Sequence, residues 1–284
     1  MERIAFALLA LTLLFAASAR SQPAVVEAVQ YPAWLERGGN AVPLSPGLAL
    51  ESRDRIRTGD NARVRLRLAE GSAVKLGEKA QFVIERAEDR GIFTAALSVV
   101  AGAFRFTTDA LSRQRGRNVA VKVKNVTVGI RGTDLWGKST AERDWVVLLE
   151  GRIEVGSEGN APVTLDTPLD LYQKPRDAAP EKARADAKLV EEWAAETEMS
   201  RDGAGARAGG RWRTVAAVKR NRDDARALVR TLRAAGYPAE IVAKPSFFII
   251  QVPGLEGEAQ ARALMSGIRE QPGVELPTVH EGAP

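Results

Sequence analysis

Short runs of alternating apolar and charged side chains from residue 24 to 160 constrain the fold most strongly. Residues 63–68 read Arg-Val-Arg-Leu-Arg-Leu. A period of two places the aliphatic side chains on one face of a strand and the arginines on the other. Glycine-containing turns such as 58–61 and 70–72 separate the runs, and no long amphipathic helix interrupts them. The sequence therefore predicts an all-β, sandwich- or barrel-like domain over residues 24–165.

The composition excludes several classes of chemistry. The chain has no cysteine and one histidine, His280. Disulfides, thiolate metal sites, two-histidine metal sites and a Ser-His-Asp triad are therefore excluded. Acidic residues such as Asp134, Asp144 and Glu150 could in principle form a glycosidase pair, but charged residues at turns more often belong to the solvated surface. We predict a non-enzymatic protein with no catalytic residue, no metal and no cofactor.

Residues 1–22 have the features of an export signal. Arg3 gives the N-terminal region a positive charge, and residues 4–17 form an uncharged, apolar run. Residues 17–19 read Ala-Ser-Ala, a pattern of small residues that signal peptidase accepts. The apolar run is shorter than the roughly 20 residues that cross a bilayer as a helix. An uncleaved membrane anchor is the alternative. We predict cleavage, a periplasmic location in a Gram-negative host, and no transmembrane segment in the mature chain.

Residues 35–156 carry ordered motifs that resemble the signature of the FecR domain. They are Asp54–Gly59 with Leu68–Leu76, then Leu97–Phe104, Thr127–Asp134 and the hairpin Val146–Val155. The resemblance implies an extracytoplasmic sensing or scaffolding module without catalytic residues. The N-terminal cytoplasmic part through which known members relay signals to a sigma factor is absent from this sequence, so that role is not expected.

Six residues of the FecR-like motifs are candidate functional positions: Gly59, Gly71, Gly129, Arg131, Gly132 and Thr133. In the structural interpretation, which we favour, the glycines allow a bulge or a close approach of strands, and Arg131 binds turn carbonyls. In the functional interpretation, Arg131 contacts a ligand beside two flexible glycines.

Residues 166–210 read as a connector. A helix is predicted from Pro180 to about Glu198, with Leu189 and Trp193 on its packed face. The four glycines between Ser200 and Gly210 predict a flexible linker.

Residues 211–280 predict a second, smaller α+β domain with the order βαββαβ of ferredoxin-like folds. Asn221 is placed to cap the first helix, and Gly236 to end it. The last strand is predicted at residues 274–276. The whole chain is therefore predicted to be multidomain: an all-β FecR-like domain, a helix and linker, and this ferredoxin-like domain.

The second domain resembles a diverged SPOR domain, on residues 211–225 and 247–261 with Leu232 and Gly236-Tyr237. The resemblance implies binding of peptidoglycan glycan strands stripped of stem peptides, on the sheet face away from the helices. Alternation assigns four residues to that face: Val215, Phe247, Ile249 and Gln251. The family's glutamine on the first strand is an aliphatic residue in this sequence, and its third-strand arginine falls on Ile249.

For an exported binding and scaffolding protein with these domains, the sheet face could have either of two functions. The sheet face binds glycan, with Phe247 stacking on a sugar ring, or it docks the β-domain or a partner protein. The partners expected are accordingly peptidoglycan glycan strands or envelope proteins. Nucleic acid is not expected, because the net charge is only +5 and the charges are interleaved.

Overall fold

The computed structural model describes residues 22–89, 92–108, 117–130 and 132–282. The predicted export signal, except Gln22, lies outside these residues, and so does Arg131. Among the described residues, no helix is long and apolar enough to span a membrane.

The chain forms, in order from its N-terminus, the elements β1 (Ala24–Gln30), β2 (Ala33–Arg37), β3 (Asn40–Pro43), β4 (Ala49–Leu50), β5 (Arg55–Thr58), β6 (Arg63–Leu68), β7 (Ala73–Leu76), β8 (Gln81–Asp89), β9 (Phe93–Thr107), β10 (Arg117–Val123), β11 (Val126–Ile130), β12 (Asp134–Ser139), β13 (Arg143–Glu150), β14 (Ile153–Ser157), β15 (Val163–Leu165), β16 (Asp170–Pro175), β17 (Glu181–Arg184), α1 (Ala187–Ala195), β18 (Gly205–Arg207), β19 (Trp212–Lys219), α2 (Arg222–Ala234), β20 (Glu240–Ala243), β21 (Phe248–Leu255), α3 (Glu258–Ile268) and β22 (Thr278–Glu281).

Strands β1–β17 form two sheets that share the long strand β9. The first sheet has the order β1-β6-β7-β9-β12-β13-β16-β17, with β4 also beside β1. The second has the order β3-β2-β5-β8-β9-β10-β11-β14-β15. The inner faces of both sheets contribute to one hydrophobic core, so this part of the chain is a β-sandwich.

The predicted alternation in residues 63–68 is confirmed. Val64, Leu66 and Leu68 are buried in the shared core. Arg65 and Arg67 lie on the outer face, where both contact the carboxylate of Glu27 on the neighbouring strand β1. Core-facing aliphatic groups and outward ion pairs therefore fix the register of this strand.

The predicted helix from Pro180 differs from the structure at its beginning. Residues 181–184 form β17, which pairs with β16, and α1 spans only Ala187–Ala195. The carboxylate of Asp186 accepts from the amides of Lys188 and Leu189, so the helix begins there. Leu189, predicted on the packed face, is exposed, and Val190 is buried instead.

The segment 200–210, predicted to be a flexible linker, is packed in the structure. Its strand β18 pairs with β1, and Ala206 is buried. A Cβ added to Gly203 would lie 2.2 Å from the side chain of Gln30, so the glycine permits close packing. This connection is therefore fixed to the sandwich by backbone pairing.

Residues 212–281, which we call the C-terminal unit, follow the element order β19-α2-β20-β21-α3-β22. Their antiparallel sheet has the order β22-β19-β21-β20. Asn221 caps α2 by accepting from the amide of Asp223, and Gly236 follows its end with a φ of +87°. Both helix boundaries therefore agree with the sequence prediction.

The last strand lies later than predicted. Residues 274–276 are not in a strand, and β22 is formed by Thr278–Glu281. Val279 packs against the core, whereas Leu276 is 88% exposed. The apolar residue that the core accommodates therefore sets the position of the strand.

Candidate functional site

The C-terminal unit docks on the sandwich at the end of α2. The amide of Ala33 donates to the carbonyl of Gly236 at 3.3 Å, and the indole Nε1 of Trp34 donates to the carbonyl of Ala234 at 3.0 Å. Tyr31 and Tyr237 meet edge to face, with ring centroids 6.4 Å apart. Burial raises the pKa of both tyrosines. This interface holds the unit against the sandwich.

Both helices of the unit cover one face of its sheet. The hydroxyl of Thr214 donates to the carbonyl of Ala261 in α3, and Ile250 and Val252 are buried with the helix residues. On the opposite face, which we call the open face, lie the residues that alternate along each strand with those that contact the helices. Val218 and Phe247 on that face are 51% and 37% exposed. The end of the open face that carries these two residues is therefore accessible to a partner.

One end of the open face is apolar. Ile249 on β21 pairs with Val218 on β19 and with Val242 on β20, so three β-branched side chains form one row across the sheet. Phe247 precedes Ile249 by two residues. We call Val218, Val242, Phe247 and Ile249 the apolar corner.

The middle of the open face is more polar. The register places Gln251 between Val215 on β19 and Glu240 on β20. Nε2 of Gln251 donates to Oε1 of Glu240 at 2.9 Å, whereas Oε1 of Gln251 has no hydrogen-bond partner among the described residues. Since Gln251 is 0% exposed, its amide orients Glu240 and does not itself reach solvent.

The structure therefore brings the four sequence-predicted face residues together but gives them different environments. Val215 and Ile249 are half-buried, Phe247 is exposed and Gln251 is fully buried. The sandwich contacts the end of α2, and Val218 and Phe247 remain exposed. The end of the face that carries Val218 and Phe247 is therefore not covered by the described residues of the sandwich.

Sequence reasoning missed two members of the apolar corner, Val218 and Val242. A register irregularity between Val215 and Ala217 places Val218, three residues after Val215, on the same face. Strict alternation would have assigned Val218 to the helix side. A β-bulge leaves no reliable signal in a single sequence, so the position could not have been found from periodicity.

The described residues of the FecR-like motifs have distinct surroundings. A Cβ on Gly59 would lie 2.8 Å from Pro32, and Gly71 and Gly132 have positive φ angles, so each favours glycine for a conformational or packing reason. Thr133 is buried, and its amide donates to the hydroxyl of Thr108 at 3.2 Å. Gly129 differs, because no described atom lies within 4 Å of an added Cβ.

Two acidic residues that suggested a glycosidase pair bind arginines. Arg176 contacts both carboxylate oxygens of the buried Asp144, at 2.5 and 2.8 Å. Arg105 contacts both oxygens of Asp134, at 2.9 and 2.7 Å. Hydrogen bonding to Asp144 raises the pKa of Arg176, and hydrogen bonding to Asp134 raises that of Arg105. Within the described ranges, no group of three or more acidic or histidine residues could hold a metal ion.

Comparison with protein families identifies one domain. Residues 54–154 match the family model described as FecR protein. The matched residues include Gly59, Gly71, Gly129, Gly132 and Thr133, which confirms the FecR resemblance of this segment.

Comparison with curated proteins and with solved structures finds distant structural similarity. No curated protein matches the chain. Two crystal structures from Parabacteroides distasonis ATCC 8503, of a protein provisionally described as an anti-sigma factor, are similar to it with 16% identity and a TM-score of 0.42. The matches cover 76% of this chain and 89% of the other in one case, and 81% and 99% in the second.

Proposed function

We propose that this chain is an exported, non-enzymatic adaptor of the periplasm, which holds a protein partner on the open face of its C-terminal unit. In this proposal the unit is a ferredoxin-like domain of the SPOR type whose sheet face has changed its ligand. The FecR domain carries that face in a fixed orientation and supplies a second contact with the envelope.

The exposed apolar corner is the observation that carries the proposal. A row of three β-branched side chains beside an exposed phenylalanine is costly to leave in water, and such patches on monomeric proteins usually mark contacts. Few polar groups there could replace the water around sugar hydroxyls. The composition of the corner therefore favours a protein surface over a glycan.

The surroundings of the corner indicate the charge of the partner. Arg220 follows β19 and Lys244 follows β20 at the end of the sheet where Phe247 lies, and Lys244 is exposed. Neither side chain has a hydrogen bond or ion pair among the described residues. An apolar partner surface with acidic groups at its rim would match this end of the sheet.

Native electrophoresis of mildly solubilised envelopes tests the proposal. The wild-type chain should migrate in a complex heavier than the monomer, and Val218→Asp or Ile249→Asp should each return it to the monomer position. Arg230→Asp, on the exposed side of α2, is the control and should keep the complex. A wild-type chain that runs as a monomer, or variants that all keep the complex, would contradict the adaptor role.

Glycan binding is a second candidate, favoured by the exposed ring of Phe247 and by polar groups elsewhere on the same face. Glu240 is held by Gln251, and the hydroxyl of Thr278 lies 2.9 Å from Nε2 of His280 on the adjacent edge strand. These groups could bind sugar hydroxyls while Phe247 stacks on a ring.

Co-sedimentation with sacculi separates the two candidates. Glycan binding requires enrichment on amidase-treated sacculi over untreated sacculi, and loss of that enrichment with Phe247→Ala. Equal sedimentation with both preparations would remove the glycan candidate and leave the adaptor role.

A further inference from the structure

A cleft of about 1310 Å³ lies on the outer face of the second sheet, in the sandwich and away from the open face. Its floor is formed by outward-facing residues of β9, β10, β11, β14 and β15. The lining includes Thr94, Ala120, Thr127, Gly129 and Thr164. Nothing in the proposed adaptor contact uses this surface.

The strand register gives the cleft a direction. Ala96, Ala120, Gly129, Glu154 and Thr164 are successive partners across five strands. Four inter-strand steps of about 4.8 Å make this row roughly 19 Å long. An extended chain advancing about 3.3 Å per residue would place about six residues along it.

For two glycines in the floor, the described residues give no packing or backbone reason for glycine. Gly129 lies inside β11 and Gly156 inside β14, and neither has a positive φ. No register irregularity occurs at either position in the β11–β14 pairing. Among the described residues, a Cβ on Gly129 would meet nothing within 4 Å, and one on Gly156 would only reach Pro162 at 3.9 Å. Glycine destabilises a strand interior, and a floor without side chains at these two positions leaves room for another backbone to approach closely.

The charged side chains of the cleft are unpaired. Arg152 directly precedes β14 and Glu154 lies on its exposed face, and neither makes an ion pair or hydrogen bond through its side chain in the described part of the chain. Elsewhere on the outer faces, Arg57 pairs with Glu36 and Arg65 with Glu27. The cleft therefore offers one positive and one negative group for a ligand.

The neighbouring polar groups add hydrogen-bonding capacity. The side chains of Thr94, Asn118 and Thr127 line the cleft and have no partner among the described residues. A bound molecule with donors and acceptors of its own could pair with these groups.

We propose that this cleft binds an extended peptide segment that carries a carboxylate, with Arg152 contacting the carboxylate and the peptide backbone crossing Gly129 and Gly156. The hydroxyl and amide groups suit the alternating donors and acceptors of a peptide backbone. None of the described lining residues is aromatic, so they offer no stacking surface for a sugar ring.

Affinity selection from a library of N-acetylated hexapeptides with free carboxyl termini tests the inference on the full chain. The wild-type protein should enrich a subset of peptides at least tenfold over empty resin, and Gly129→Val and Arg152→Gln should each reduce that enrichment at least tenfold. Arg143→Gln, an exposed arginine on the first sheet, is the matched control and should retain it.

Several outcomes would overturn the proposal. They are the absence of enrichment by the wild type, enrichment that both cleft variants keep, and equal enrichment from a library with amidated carboxyl termini. Binding of N-acetylglucosamine oligomers, or self-association lost with Gly129→Val, in place of peptide binding would also overturn it. Gly129→Val should leave the melting temperature unchanged or higher. If Gly129→Val does not fold, the effect of Arg152→Gln on peptide enrichment still tests the proposal.

Discussion

The indole ring of Trp34 lies so close to Gly236 that a Cβ on this glycine would be 2.8 Å from ring atoms Cε2 and Cζ2. The guanidinium of Arg57 covers the same ring, 4.6 Å from its centroid. Trp34 belongs to β2 of the sandwich, whereas Gly236 follows α2. The close contact therefore fixes the C-terminal unit, and with it the open face, relative to the FecR domain.

Gly236→Ala should destabilise the chain in two ways, through backbone strain and through a clash with Trp34. The positive φ costs an alanine about 1–2 kcal/mol, and the clash with Trp34 adds about 1–3 kcal/mol. The melting temperature should fall by at least about 4 °C. Gly209→Ala is the control, because Gly209 has a φ of +78° but no described atom within 4 Å of an added Cβ. Equal losses in the two variants would show that the Trp34 contact contributes nothing.

Trp193→Ala should detach α1 from the first sheet. The Trp193 ring stacks on Trp136 with centroids 5.3 Å apart and on Trp145 at 6.4 Å. Its loss should lower the free energy of unfolding in urea by about 2–3 kcal/mol and speed hydrogen exchange over residues 187–198. Leu189→Ala, on the exposed side of the helix, should change stability by less than about 0.5 kcal/mol. Unchanged exchange in Trp193→Ala would contradict this account of the helix.

Arg176→Met should be among the more damaging substitutions. Asp144 is 0% exposed, and the variant would leave its carboxylate buried without its cation. Removing one partner of a buried pair costs about 3–5 kcal/mol. Arg226→Met breaks the exposed pair with Asp223 and should cost less than about 0.5 kcal/mol. Similar urea midpoints for both variants would refute a buried pair at Asp144.

Stability should depend on the ionisation of Asp170 at acidic pH. Burial raises the pKa of this carboxyl, but hydrogen bonds from Lys182 and from the amides of Thr167 and Asp166 outweigh it, so the pKa is lowered from its ordinary value of 3.8. The ionised group therefore stabilises the fold above that value. The contribution is lost as the pH falls below it and through the lowered pKa.

Comparison of wild type with Asp170→Asn checks this dependence. The difference in free energy of unfolding should be constant between pH 7 and 5 and shrink as the pH falls below about 4. Asp177→Asn, at an exposed position after β16, should give a small difference at every pH. A difference for Asp170→Asn that stays constant down to acid unfolding would contradict the lowered pKa.

Local patterns explain the features that the sequence predicted. Leu66 and its neighbours alternate because one face of β6 is buried, and Asn221 and Gly236 mark the ends of α2 through their own hydrogen bonding and backbone conformation. These signals depend on residues close in sequence, so a single chain contains them.

Long-range contacts explain the features that it did not predict. Residues 181–184 include good helix formers but pair with β16, and the glycine-rich segment around Gly205 pairs with β1. Tertiary pairing overrode local propensity in both places. The exposed Val218 depends on a bulge, and the space that the described residues leave beside Gly129 depends on which strands surround β11.

Photo-crosslinking from the open face in growing cells tests the adaptor role most directly. A photoreactive phenylalanine analogue would replace Val218 in one strain and Arg230, on the exposed side of α2, in another. We predict one discrete product from position 218, sensitive to protease and insensitive to lysozyme, and none from position 230. No product from position 218, or products of equal yield from both positions, would contradict a protein partner on the open face.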